Sequence, residues 1–323
     1  MVKKEVYKEV PEILENIEKE IGKLVVGQKE VIRDLIRAIF CEGHVLVEGV
    51  PGIAKTLLIE CLAKVLGCYS KRVQFTVDLL PSDIIGITKF NEKENDFEVI
   101  KGPIFTNLLI ADEINRSPPK TQSALLEAMQ ERKVSISKID YPLPRPFFVM
   151  ATQNPIEQAG VYPLPEAQID RFLFKIIMDY PQTEEEEKIL DSNISIKKFS
   201  DFDLKAILNP DKITEIQKKV KDVYCSPEVK RYIVSLVNET RNKESQYSKY
   251  IMYGCSPRAS ISLYIAAKAE ALMNGRDYVI PEDVKRVAYL VLRHRLILSF
   301  EAEAEKITPE KIIEYLLKNV SAP

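Results

Sequence analysis

The chain has 323 residues, about two domains' worth at roughly 150 residues each, so a single small module is excluded. Hydrophobic residues make up 46% and charged ones 29%, which excludes disordered and collagen-like chains. The 46 Lys and Arg nearly balance the 48 Asp and Glu, a formal net charge of −2 that exerts no global pull toward nucleic acid or anionic lipid.

The N-terminal stretch MVKKEVYKEVPEILENIEKE has no apolar run and is rich in acidic residues, unlike a secretory or transit peptide, so a cytoplasmic location is expected. From Pro11 to Phe40 the pattern is helical, with a break at Val26-Gly27-Gln28. From Glu42 to Met178, short β-type runs then alternate with helical patterns, the mark of βαβ units in a parallel sheet. Strands are expected over His44–Glu48, Val73–Val77, Leu108–Ala111, Phe147–Ala151 and Phe172–Ile177. Their apolar character with little alternation suits strands covered on both faces. Helices are expected over Lys55–Leu66 and Lys120–Glu131, with Ala124, Leu125, Ala128 and Met129 on one face of the second.

Two hairpins are readable in the same region. Ile85–Phe90 and Asp96–Ile100 flank the polar tip Asn91–Asn95, and Val134–Ile136 faces Tyr141–Leu143. Beyond Tyr180-Pro181-Gln182 the character becomes helical, which divides the chain into domains 1–180 and 181–323. Thr183 with Glu186 fits a capping box. Further helices are expected to start at Ser226-Pro227, Ser256-Pro257, Ile280-Pro281 and Thr308-Pro309, with proline in the first turn. The longest apolar candidate for a membrane span, Val287 to Phe300, is interrupted by Arg293, His294 and Arg295. The five cysteines form no C-x-x-C pair and read as reduced core thiols. His44 and His294 have no metal-ligand company.

Chemistry concentrates at the strand ends. After the first strand comes Gly49-Val50-Pro51-Gly52-Ile53-Ala54-Lys55-Thr56, then a helical pattern, nearly G-x-x-x-x-G-K-[ST]. In such a loop backbone N–H groups and a helix N-terminus surround phosphates, the lysine reaches the β and γ oxygens, and the hydroxyl binds Mg²⁺. Ala54 replaces the last glycine, which is tolerable if that residue begins the helix at negative φ. A plain Gly-Pro turn is the alternative. The third strand ends in Asp112-Glu113, a pair suited to Mg²⁺-assisted nucleotide hydrolysis: Asp112 for the metal shell, Glu113 to orient and deprotonate water. A solvated strand end is the alternative, but it does not account for a phosphate loop upstream. The Mg²⁺ and triphosphate are expected where two neighbouring strand tips meet. Asn154, after the fourth strand, suits a hydrogen bond to the attacking water or γ-phosphate; an Asn-Pro turn is its other reading. Arg171 suits neutralisation of transition-state charge, against an alternative ion pair with Asp170.

Together these segments resemble an AAA+ ATPase, and within that group the MoxR family of the clade with a helix-2 insertion. The resemblance covers nearly the whole chain. It runs from Val26-Gly27-Gln28, similar to the adenine-side motif, through the Gly49–Thr56 loop, Lys101–Phe105, Ala111–Gln122, Ala151–Pro155 and Leu164–Phe172 to Gly254–Ala259. It implies an α/β fold, a five-stranded parallel-sheet P-loop AAA+ core followed by a smaller all-helical lid domain. It further implies that Gly49, Pro51, Gly52, Ile53, Ala54, Lys55 and Thr56 hold ATP as Walker A, with Thr56 a Mg²⁺ ligand. Asp112 and Glu113 would then form Walker B, Asn154 sensor 1, Arg171 a finger acting in the neighbouring subunit, and Arg258 sensor 2, with Arg116 and Arg132 as candidate trans contacts. The implied assembly is a homo-oligomeric ring, usually a hexamer. The implied function is chaperone-like remodelling that matures or activates a protein client, often with a partner bearing a von Willebrand factor type A domain.

Two other functions compete with remodelling. A nucleic-acid motor would also use a helix-2 insertion, but from Lys89 to Glu98 two basic residues face four acidic ones, a poor reader of phosphate backbones. A scaffold that binds nucleotide without hydrolysing it is disfavoured by the joint presence of Lys55, Asp112, Glu113 and Arg171.

Overall fold

The computed structural model describes residues 2–49, 55–154, 160–191 and 203–323. Two helices, α1 (Val2–Ile21) and α2 (Lys29–Phe40), precede β1 (Val45–Gly49) and α3 (Lys55–Val65). There follow β2 (Ser70–Gln74), α4 (Pro81–Ile85), the hairpin β3 (Gly86–Asn91) and β4 (Asp96–Lys101), β5 (Leu108–Asp112) and α5 (Pro119–Glu131). A second hairpin, β6 (Lys133–Ile136) and β7 (Ile139–Pro142), leads to β8 (Phe148–Gln153), α6 (Glu166–Ile169), β9 (Phe174–Met178) and α7 (Thr183–Asp191). The rest is helical: α8 (Pro210–Asp222), α9 (Pro227–Glu239), α10 (Pro257–Met273), α11 (Pro281–Leu292), α12 (Phe300–Ala304) and α13 (Pro309–Asn319). One short antiparallel pair, β10 (Ile251–Tyr253) with β11 (Ile297–Leu298), interrupts these helices.

The main sheet is five-stranded and parallel, in the order β2-β5-β8-β1-β9. Along each central strand alternate residues enter two cores. Val45, Val47, Leu108, Ile110, Phe148 and Met150 face α1–α3 and the C-terminal helices, whereas Leu46, Leu109, Ala111, Val149 and Ala151 face α5 and the hairpins. Burial on both faces explains why these strands are nearly continuous apolar runs. The edge strand departs from expectation, pairing over Ser70–Gln74 rather than Val73–Val77. Of its paired residues only Val73 is buried, because at the edge the ladder with β5 outweighs apolar content. The capping box at α7 also sits one residue earlier than Thr183: the Glu185 carboxylate accepts from the Gln182 backbone N–H at 3.0 Å.

The expected proline-led helix starts are all present. Ser226, Ser256 and Thr308 accept a backbone N–H of the first turn, and the Asp283 carboxylate accepts from Ile280 N–H at 2.9 Å. The C-terminal helices dock on α2 through a buried charge cluster. Arg37, 1% exposed, donates to Glu270 of α10 at 2.6 and 2.8 Å and is also paired with Asp34 one turn earlier. Burial pushes the Asp34 carboxyl up, opposed by the Arg37 charge. Arg37→Ala strands two carboxylates out of water, and is expected to cost about 3–5 kcal/mol in urea unfolding. A loss below about 1 kcal/mol would mean the cluster is solvated in the folded protein. Among the described residues no helix is long and apolar enough to cross a membrane.

Candidate functional site

In an open parallel sheet the binding crevice lies outside the carboxyl ends of the strands, where connections diverge to opposite sides. Here β1 sends the chain through α3 to the edge strand β2, across both β8 and β5. Gly49 ends β1 and Lys55 begins α3. Val50, Pro51, Gly52, Ile53 and Ala54 lie outside the described residues. Lys55 Nζ donates to the Gly49 carbonyl at 2.6 Å, folding the ammonium back over the strand tip. Partial burial lowers the Lys55 pKa, while the charges of Asp112 and Glu113 raise it. The lysine and both carboxylates therefore share one electrostatic environment. Thr56, half-buried, follows in the first turn of α3.

Asp112 and β1 are not on adjacent strands. The order of the sheet inserts β8 between β5 and β1, which corrects the expectation of neighbouring strand tips. That middle strand supplies the residue that joins the carboxylates. Thr152 Oγ1 donates to Asp112 Oδ1 at 2.5 Å and accepts the Glu113 backbone N–H at 2.9 Å. Asn154, 9% exposed, lies just past the same strand, between the two flanking tips.

Glu113 adopts a left-handed backbone, φ 55° and ψ 51°, a conformation costing a non-glycine residue about 1–2 kcal/mol. Its carboxylate is held by Gln74 Nε2 at 2.6 Å and by Arg116 Nε at 2.9 Å. Asp112 Oδ2 takes Arg72 at 2.6 and 3.2 Å, and Arg72 also donates to Gln74 at 3.1 Å. Polar residues of β2 thus grip both carboxylates of β5. Arg72, Gln74 and Thr152 escaped the sequence reading. The β2–β5 register, with Gln74 opposite Asp112, is the signal that locates the first two.

Val26-Gly27-Gln28 forms the turn before α2, with Gly27 at φ 71° and Gln28 at φ 57°. A Cβ on Gly27 would fall 2.5 Å from Glu185 at the start of α7, so glycine is needed there for both conformation and space. The segment after β9 closes over this turn.

The candidate arginines separate. Among the described residues Arg171 has no hydrogen-bonded or ion-paired partner for its side chain, and the alternative pairing with Asp170 is not what is found. Asp170 instead takes Arg295 at 2.7 Å, the Ser256 hydroxyl at 3.0 Å and Arg258 at 3.5 Å. Arg258 stands in the first turn of α10 with its side chain 45% exposed. Arg116 faces Glu113 of its own chain. Arg132 is engaged with Glu42, donating to its carbonyl at 2.9 Å and pairing with its carboxylate beside Lys221. Glu42 precedes β1, so Arg132 sits at the end of the sheet opposite the crevice.

His44 is a core residue. Its Nδ1 accepts the Val149 N–H and its Nε2 faces the Met129 carbonyl, both at 3.0 Å, and burial lowers its pKa to about 4. His294 lies in the turn after α11, with Nε2 3.1 Å from the Phe172 carbonyl. Burial pushes the Cys61, Cys68 and Cys255 thiols up to about 12, as suits reduced core thiols.

The sheet order, the strand-tip lysine and the carboxylate pair define a P-loop AAA nucleotide-binding core with a helical lid. The model of the ATPase family associated with various cellular activities matches residues 44–174, and an AAA lid domain matches residues 243–316. Chaperone MoxR1 of Mycobacterium tuberculosis is 46% identical over 308 residues, covering 94% of this chain and 81% of that one. Protein MoxR of Methylorubrum extorquens is 32% identical over 328 residues, 95% of this chain and 94% of that one. A crystal structure of a candidate ATPase from Cytophaga hutchinsonii superposes with a TM-score of 0.92 at 46% identity, covering 100% of this chain and 98% of that one. The chain belongs to the MoxR family of AAA ATPases.

Proposed function

We propose that the protein binds ATP with Mg²⁺ in the crevice at the tips of β1, β8 and β5, hydrolyses it to ADP and phosphate, and uses the cycle to remodel a protein client. The observation that carries this reading is the convergence of Lys55, Asp112 and Glu113 on one environment, with Thr152 bridging the two carboxylates. Thr56 and Asp112 offer the hard oxygen donors that suit magnesium. When bound, that ion would neutralise phosphate charge and fix the triphosphate's orientation. Lys55 supplies the compact cation for the β and γ oxygens, and in this reading it exchanges the Gly49 carbonyl for phosphate. Glu113, aimed by its left-handed backbone and by the Thr152 hydroxyl, accepts a proton from the attacking water. Asn154 orients that water from the intervening strand. The turn Val26-Gly27-Gln28 forms the adenine side, enclosed by the start of α7.

The same reading makes Gly49–Thr56 Walker A and Asp112-Glu113 Walker B, with the division into 1–180 and 181–323 separating nucleotide domain from lid. Arg171, unpaired among the described residues, is then the finger completing the site of the next subunit in a homo-oligomeric ring of six. Remodelling as the output is supported by the chaperone name of the relative from Mycobacterium tuberculosis. A cytoplasmic location and a partner with a von Willebrand factor type A domain complete the proposal. Titration with ATP tests its base. Lys55→Ala is expected to weaken ATP binding tenfold or more, about 1.4 kcal/mol, and undiminished affinity would sink the phosphate-site assignment.

A further inference from the structure

The segment carrying Arg171 is gripped from the lid. Arg295, 5% exposed, lies in the turn that follows α11. Its Nε donates to Asp170 Oδ1 at 2.7 Å. One terminal nitrogen donates to the Asp170 and Phe172 carbonyls at 3.2 and 2.7 Å, the other to Leu173 at 3.2 Å and Val291 at 2.6 Å. A single guanidinium therefore holds the chain on both sides of residue 171. His294, from the same turn, contacts the Phe172 carbonyl at 3.1 Å. A buried guanidinium keeps such a set only while every acceptor stays in place, so it binds the turn firmly to residues 170–173.

The second oxygen of Asp170 faces a different lid element. It accepts the Ser256 hydroxyl at 3.0 Å and lies 3.5 Å from Arg258, both at the start of α10. The Arg295 link is buried and many-fold. The Arg258 link is single, long and nearly half-exposed, the kind of pair that stabilises little and exchanges partners readily. One carboxylate, adjacent in sequence to Arg171, thus joins a buried lid contact to an exposed one.

We propose that Asp170 is a positioning residue: held by Arg295 and tethered to Arg258, it couples the position of the lid to the presentation of Arg171 at the neighbouring subunit's site. Release of Arg258 from Asp170 toward nucleotide in its own subunit would reset how that subunit's Arg171 meets the next one. The inference rests on the proposed role of Arg171 as a finger acting in trans, and adds what aims it.

Mixed assemblies separate the two claims. Donor chains carry Glu113→Gln and an intact Arg171, while acceptor chains carry Arg171→Ala and an intact Glu113. Hydrolysis in the mixture then reports acceptor sites completed by donor arginines. Adding Asp170→Asn to the donor is expected to lower that hydrolysis roughly tenfold or more, since small misplacement of a catalytic group is costly, without changing the acceptor's KM for ATP. Adding it to the acceptor instead, where residue 171 is already alanine and only the Arg258 tether is lost, is expected to cost several-fold less turnover than adding it to the donor. An unchanged rate with the Asp170→Asn donor, or equal losses from both sides, overturns the positioning role while sparing the finger. A mixture that is silent even with Asp170 intact removes the finger, and this inference with it. If Asp170→Asn donors do not enter mixed assemblies, Arg295→Lys donors, which keep the charge and lose the fork, carry the same expectations.

Discussion

Glu113→Gln is expected to leave ATP binding intact while cutting turnover by about 10²–10⁴-fold, the usual contribution of a general base. The substitution preserves volume and the capacity to meet Gln74, and it leaves Thr152 bonded to the backbone N–H rather than to the altered side chain. What it removes is the carboxylate that would take the proton, together with the charge that Arg116 now faces. Binding affinity for ATP and single-turnover hydrolysis, measured on the same preparation, separate those effects. Wild-type steady-state turnover in the variant removes Glu113 from its role. Loss of binding along with turnover points to a collapsed strand tip instead. The same variant, locked with ATP, is the form expected to retain its client, so recovery of a protein with Glu113→Gln and ATP but not with Lys55→Ala tests the remodelling proposal.

Much of this arrangement is legible in the sequence, for a physical reason. Strands buried on both faces must be apolar throughout, so β1, β5 and β8 stand out as runs, and the polar residues ending them mark the edge where the proposed site lies. Asp112 is the first residue of β5 that is not buried. The edge strand β2 is expected three residues too late, over Val73–Val77, because one buried residue in five leaves no such run to fix its bounds, and the contacts of Arg72 and Gln74 with the carboxylates of β5 follow from register rather than composition. Thr152 was hidden for a related reason: nothing local to Ala151-Thr152-Gln153 says that β8 is inserted between β5 and β1. The partners of Asp170 arise from contacts separated by 86 to 125 residues in the chain, beyond the reach of any local pattern.

Arg171→Ala is expected to lower hydrolysis by about 10³-fold, the low end of what an arginine finger supplies, or about 4 kcal/mol of transition-state stabilisation. Asp170, the obvious local partner, is taken by Arg295, Ser256 and Arg258, and no other described residue pairs with Arg171. A guanidinium with no partner among the described residues, while the backbone on both sides of it is gripped, makes sense if the partner comes from outside the chain. The loss should therefore belong to the assembly and not to the subunit. Titrating Arg171→Ala chains into wild type is expected to depress the activity of the wild-type chains themselves, because each variant subunit leaves its neighbour's site incomplete. Activity that falls only in proportion to the wild-type fraction would mean that Arg171 acts, if at all, within its own chain. Per-chain activity of the wild type should in turn rise with protein concentration through the range in which rings form, whereas Arg171→Ala should stay flat across it, since assembly brings that variant no arginine to complete the site.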